Sequence, residues 1–173
     1  MTSRDLLDEA LEAWEYARTS LIAEAEIVPD AGYGFRPHAR SRTLAELLTH
    51  VLQSGCLMTG ELSRPDGDLT RAPYEALLAE HSAGLSVDPA PASLRGELER
   101  TLREGVDRLR EAGELHMLQT IRQFDGTRAT RLAWMHHAIA HEEYHRGQVA
   151  LYARMQDIVP ALTRAIHGQD GEG

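Results

Sequence analysis

The chain has 173 residues, of which 42% are apolar and only 5% aromatic, and its formal net charge is -9. This length suits one compact domain with a proper core, expected over residues 1–167, with residues 168–173 as a mobile tail. The acidic balance argues against a nucleic-acid backbone as the main partner, because such binders carry a basic face. No Lys/Arg run suits an anionic membrane surface, and no stretch approaches the roughly 20 apolar residues of a bilayer span. The first residues lack the apolar centre of a signal peptide. The single cysteine, Cys56, leaves no internal disulfide to form, which suits a reducing compartment. A soluble, cytoplasmic protein is therefore expected. Ala, Leu, Glu and Arg are abundant, and they lose little rotamer freedom in helices.

The first helix is expected from about Arg4 to Val28, because Leu7, Leu11, Trp14, Leu21 and Val28 recur on one helical face. Pro29, Asp30, Gly32, Gly34 and Pro37 then mark a loop. The second helix begins at Thr43, where Thr43-Leu44-Ala45-Glu46 has the spacing of a capping box. Its apolar face is Leu44, Leu47, Leu48, Val51, Leu52, Gly55 and Met58. A short helix from about Pro73 to Ser82 precedes a loop containing Pro89 and Pro91. The third long helix spans about Ser93 to Ala112 and stops at Gly113. Residues 114–126 read either as a short strand or as an irregular packed segment. The last long helix begins between Thr127 and Thr130 and runs to about Met155, with Pro160 limiting it. The expected fold is therefore all-α: a four-helix bundle with one or two additional short helices. Connections of varied length leave its topology open.

Four of the nine histidines fall between residues 136 and 145. On a helix, His141 and His145 lie one turn apart on the same face. Trp134, Ala138, His141, His145, Gln148 and Tyr152 follow alternating steps of four and three, the seam of a packed helix. Glu142 and Glu143 lie off that seam and read as solvated charges, and His137 as structural. Gly147 is expected to permit close helix approach. An unpartnered buried amide or hydroxyl costs roughly 2–7 kcal/mol, and a buried imidazole is under similar pressure. Two neighbouring inward imidazoles therefore either hydrogen-bond within the bundle or share a cation. Of His38, His50, His81, His116 and His167, only His50 sits mid-helix. It flanks that helix's apolar face, where it is either a third ligand or an ordinary boundary histidine. Cys56 lies six residues further on and points elsewhere, which suits a small buried residue better than a ligand.

Two segments carry a family resemblance. Tyr33-Gly34-Phe35-Arg36-Pro37, followed by Arg42-Thr43-Leu44-Ala45-Glu46-Leu47-Leu48-Thr49-His50, resembles the front half of DinB-like proteins. His141-Glu142-Glu143-Tyr144-His145-Arg146-Gly147-Gln148 resembles their C-terminal H-x-x-x-H-R-G-Q signature, and Tyr152-Ala153-Arg154 and Val159-Pro160 continue the likeness. Residues 61–125 share only helical character with the family. The resemblance implies a four-helix bundle, often a homodimer, whose metal site maps onto His50, His141 and His145. The superfamily includes S-transferases that use bacillithiol, mycothiol or glutathione-like thiols.

Three neutral imidazoles leave positions open on a divalent ion, the catalytic rather than the structural pattern. Zinc and nickel both suit imidazole. Gln148 is placed to support a ligand or bound water, or simply to add packing polarity. The expected function is a metal-dependent thiol S-transferase or related hydrolase acting on a small molecule. A stress-response protein that binds metal or ligand without turnover is the alternative, and a dimeric interaction module braced by its ion is a third.

Overall fold

A computed structural model describes residues 5–86 and 88–168. The expected tail beyond Gly168 and the first four residues lie outside that set. Helix α1 spans Leu6–Glu26 and is capped by Asp5, whose Oδ1 accepts from the Asp8 backbone N–H at 2.8 Å. A 3-10 turn over Asp30–Gly34 follows. Helix α2 spans Leu44–Leu62 behind the expected capping box: Thr43 Oγ1 accepts from the Glu46 N–H, and Glu46 accepts from the Thr43 N–H. Helix α3 is Tyr74–Ser82, and α4 is Pro91–Ala112. Gly113 ends α4 with φ 82°, a left-handed value natural to glycine.

Residues 114–126 are resolved into two elements. A short helix α5 covers Glu114–Met117, and strand β1 covers Thr120–Arg122. β1 pairs antiparallel with β2, Arg128–Thr130, with Ile121 opposite Ala129. Ile121 points into the core while its neighbours are exposed, an alternation too short to detect in sequence. Thr130 then caps α6, Arg131–Arg154, through a hydrogen bond from the Ala133 N–H. The last helix, α7, is Ala161–His167. Its first two N–H groups, on Ala161 and Leu162, donate at 2.7 and 3.1 Å to Glu24, a buried carboxylate of α1.

The four long helices pack in a ring: α1 on α6 and α4, and α2 on α4 and α6. Thus α1 and α2, adjacent in sequence, stand on a diagonal, so this is not a simple up-and-down bundle. The core has two apolar halves. One gathers Leu11, Trp14, Met58, Leu109 and Met135, and the other Leu21, Leu48, Leu52, Leu98 and Val149.

A polar layer separates the halves, with one residue from each long helix. Arg18 of α1 donates from Nε and Nη2 to Glu142 of α6, and from Nη1 to Thr101 of α4. Gly55 of α2 faces the guanidinium, where a Cβ would lie 2.6 Å from Arg18 Nη2. Trp14 Nε1 also donates to Glu142, at 2.8 Å.

This layer corrects the reading of Glu142 as a solvated charge, since the residue is only 2% exposed. The physical reason is rotational. The buried side of α6 is centred on Leu132, Met135, Ile139, Glu142, Val149 and Ala153, with His145 and Tyr152 of the seam buried at its edge. The seam read from Trp134 through His141 to Tyr152 lies about 100° round the helix, one residue's turn, and forms the flank that faces α2. Gly147 is likewise corrected: it is exposed, and a Cβ there would have nothing within 4 Å.

Candidate metal centre

His50 projects from the middle of α2, and His141 and His145 from successive turns of α6. Because α2 and α6 are packed neighbours, the three rings meet between them. His50 Nε2 lies 3.1 Å from His141 Nε2, which lies 3.0 Å from His145 Nε2. His145 is buried, and the other two are half-buried.

Hydrogen bonding within the triad does not account for this convergence. Each imidazole nitrogen carries either one proton or one lone pair. His141 Nε2 has two nitrogen neighbours at contact distance and can engage only one of them well. Three nitrogens each about 2.0–2.1 Å from one ion would be separated by about 2.9 Å at right angles and about 3.3 Å in a tetrahedron. The observed spacings fall in that interval. Gln148 Oε1 accepts from His145 Nδ1 at 2.7 Å, which fixes the proton on Nδ1 and bares the Nε2 lone pair toward the centre.

The electrostatics keep the rings neutral. Burial is the largest influence on each, and it holds all three below the ordinary histidine range. Arg42 and the neighbouring imidazoles push His50 further down, to about 4. Glu142, next in sequence to His141, pulls the two α6 rings the other way. Neutral imidazole is the form that binds metal.

The remaining histidines lie elsewhere. His38 sits in an exposed loop, His136 is exposed on α6, and His137, also exposed, lies beside Trp134 on the wall of the cavity next to the triad. His116 approaches the Leu62 carbonyl oxygen, and His167 ends α7. His81 meets Glu61 at 2.6 Å; the cluster Glu61, Glu80 and His81 is already served by Arg71, which bonds both carboxylates. Cys56 lines a different cavity with Arg100, Thr101 and Glu104 of α4, in line with its expected remoteness from the triad.

The triad lies in a groove between α2 and α6. On one side is a cavity of about 230 Å³ lined by Ser54, Leu57, Met58, Tyr74, Trp134 and His141, among others. On the other is an open recess lined by Arg40, Ser41, Arg42, Leu47, Gln148 and Tyr152. Sequence reading missed Ser54 and Arg42. Ser54 is one turn beyond His50, a signal available from spacing alone. Arg42 precedes the helix cap, and only the fold brings it beside the rings.

The sequence model of the DinB superfamily matches residues 13–149. The chain belongs to the DinB superfamily. No curated protein sequence matches it. Among solved structures, this DinB-superfamily chain is similar to the DinB-like protein YjoA from Bacillus subtilis, at 21% identity and a TM-score of 0.66, over 86% of this chain and 92% of that one. It is similar to YfiT from Bacillus subtilis, described as a probable metal-dependent hydrolase with an unusual four-helix bundle topology, at 14% identity and a TM-score of 0.67, over 91% of both chains. It also matches a mycothiol-dependent maleylpyruvate isomerase at 15% identity and a TM-score of 0.62, over 86% of this chain and 63% of that one. At these identities the structural matches establish the bundle fold.

Proposed function

We propose that His50, His141 and His145 hold one divalent ion, zinc or nickel, and that the protein is an enzyme joining a low-molecular-weight thiol to a small electrophile, or hydrolysing a related substrate. The observation that carries this reading is the convergence of three neutral imidazole nitrogens at metal spacing on the wall of a groove wide enough for ligands. The donor set fits the ion: three nitrogens, no thiolate and no carboxylate, leaving coordination positions open. A bound divalent ion supplies Lewis acidity and lowers the pKa of a coordinated thiol or water. The descriptions of YfiT as a probable metal-dependent hydrolase and of the isomerase as mycothiol-dependent support this class of chemistry.

The protein's own groups supply positioning. Gln148 orients His145, and the Arg18–Glu142 pair fixes the rotation of α6 that carries both α6 histidines. In the transferase reaction the thiol gives its proton to solvent. The sulfur lone pair then forms a C–S bond as the bond to the leaving group breaks, and the leaving group departs with that electron pair.

We also propose that the protein is a cytoplasmic homodimer. Its support is the solvent face of α6, where Ala140, Tyr144, Gly147 and Leu151 recur at steps of four and three, with Tyr144 65% and Leu151 51% exposed.

The test is elemental analysis of untagged protein, wild type and His145→Ala, followed by conjugation assays with several thiols and electrophiles read by mass spectrometry. About one divalent ion per chain is expected in the wild type, together with metal-dependent conjugation, and both should be lost in the variant. Full metal content in His145→Ala would remove the ligand assignment. Retained metal without conjugation or hydrolysis across the panel would leave a binding protein rather than an enzyme.

A further inference from the structure

The groove between α2 and α6 has two chemically different ends, with the histidines between them. Along α6, Gln148 and Tyr152 lie at one end, His141 and His145 in the middle, and Ala138 and Trp134 at the other. Gln148 and Ala138 are ten residues apart, or about 15 Å along the helix. α2 runs beside them with Leu47, His50 and then Ser54, Leu57 and Met58 in matching order. A ligand extended by about 15 Å along α6 would span from one end to the other past the triad.

One end is cationic in a chain whose net charge is -9. Arg40 and Arg42 line it, both exposed, and neither forms an ion pair among the described residues. The nearby carboxylate of Glu46 makes its hydrogen bonds to the Thr43 N–H and Arg36, and reaches Arg42 only through space.

The opposite end is mainly apolar and aromatic, with His137 and Ser54 as its polar lining beside the triad. Trp134 stacks edge-on with Phe124, and Phe124 with Tyr74, both at 5.5 Å between ring centres. Leu57 and Met58 are buried against the cavity. An engineered apolar cavity of about 150 Å³ admits benzene, so a space of about 230 Å³ has room for an aryl ring. Ser54 lines this cavity, and its Oγ is buried and has no hydrogen-bond partner among the described residues. A buried hydroxyl without a partner is costly, and a ligand's polar atom would satisfy it.

We propose that the groove binds a single amphiphilic ligand: an aryl or alkyl group between Trp134 and Met58, and a carboxylate or similar anion on Arg40 and Arg42. This assignment rests on the proposed reaction only in placing the reacting atom at the histidines. The substrate class is then an apolar electrophile, or its conjugate, bearing an acidic tail.

Binding of ω-phenylalkanoates, from phenylpropanoate to phenyloctanoate, and of the matching primary amides to the zinc-loaded protein tests this by calorimetry. Affinity should peak at one chain length, with the acid about tenfold tighter than its amide, since a charge-assisted hydrogen bond contributes about 1.5–3 kcal/mol. The double variant Arg40→Gln, Arg42→Gln should erase the acid preference, bringing acid and amide to similar affinities. Trp134→Ala, checked for folding by circular dichroism, should weaken acids and amides alike. Equal binding of acids and amides, no dependence on chain length, or no binding would overturn the assignment. So would an acid preference that survives the double variant, because the carboxylate would then sit on the ion. The conjugation assay reports separately: acid preference without conjugation removes the transferase reading and leaves the cleft, and the reverse removes the cleft alone.

Discussion

Arg18 and Glu142, 124 residues apart in sequence, meet through paired hydrogen bonds, Nε to Oε2 at 2.7 Å and Nη2 to Oε1 at 2.5 Å. Both are almost fully buried, and the carboxylate follows the metal-facing His141 by one residue. Removing one member of a buried pair leaves an uncompensated charge and costs about 3–5 kcal/mol. Glu142→Ala should therefore lower the midpoint of urea unfolding strongly. A double change of Arg18 to Met and Glu142 to Leu should restore much of that loss. A Glu142→Ala protein as stable as wild type would show that Arg18 finds another partner.

Gly55 tests the same layer from α2. A Cβ at this position would lie 2.6 Å from Arg18 Nη2. The guanidinium is held by Glu142, Thr101 and the Leu98 carbonyl, so it cannot yield without losing hydrogen bonds. Gly55→Ala should destabilise by about 1–3 kcal/mol despite the better helix propensity of alanine. Gly96→Ala in α4, with nothing within 4 Å of its Cβ, should instead stabilise by up to about 1 kcal/mol. Equal effects in denaturant titrations would refute a tight layer at Gly55.

The four helices, the cap of α2, the Gly113 stop and the inward rows of leucine were legible because helical periodicity and the Thr43–Glu46 box are local signals. So was the pairing of His141 with His145, which depends only on helical pitch. His50 could be selected only by elimination and by family resemblance, because its meeting with α6 is a long-range event. The Arg18–Glu142 layer was invisible for a different reason. A charge on a helix reads as solvated unless its partner is known, and that partner comes from another helix. The short hairpin at Ile121 depends on a pairing of three residues per strand, too few for alternation to register.

Ser54 offers a change that separates stability from binding. Its hydroxyl is buried, unpartnered and next to the cavity. Removing a buried unsatisfied hydroxyl, so that the side chain becomes a methyl group, removes a desolvation penalty. Ser54→Ala should leave thermal stability unchanged or raise it, while lowering affinity for ligands with a polar atom near the triad. A clear loss of stability in the unliganded protein would show that the hydroxyl already has a structural partner.

Acid should weaken the metal-free protein through the triad. In the unfolded chain His50 gains its proton near pH 6.5, whereas in the fold burial, Arg42 and the other imidazoles hold it neutral down to about 4. Between those values the unfolded state binds more protons, so stability rises with pH. The contribution is fully present above about 6.5 and is lost as pH falls toward about 4. His141 and His145 shift in the same direction. Metal should oppose this loss, because an ion bound only by the folded state adds about 4 kcal/mol when its free concentration is a thousand times Kd. Urea midpoints measured from pH 4 to 7 should therefore fall steeply with acid in chelator, and less steeply for His50→Asn. Parallel curves for the two proteins would show that this imidazole does not resist protonation in the fold.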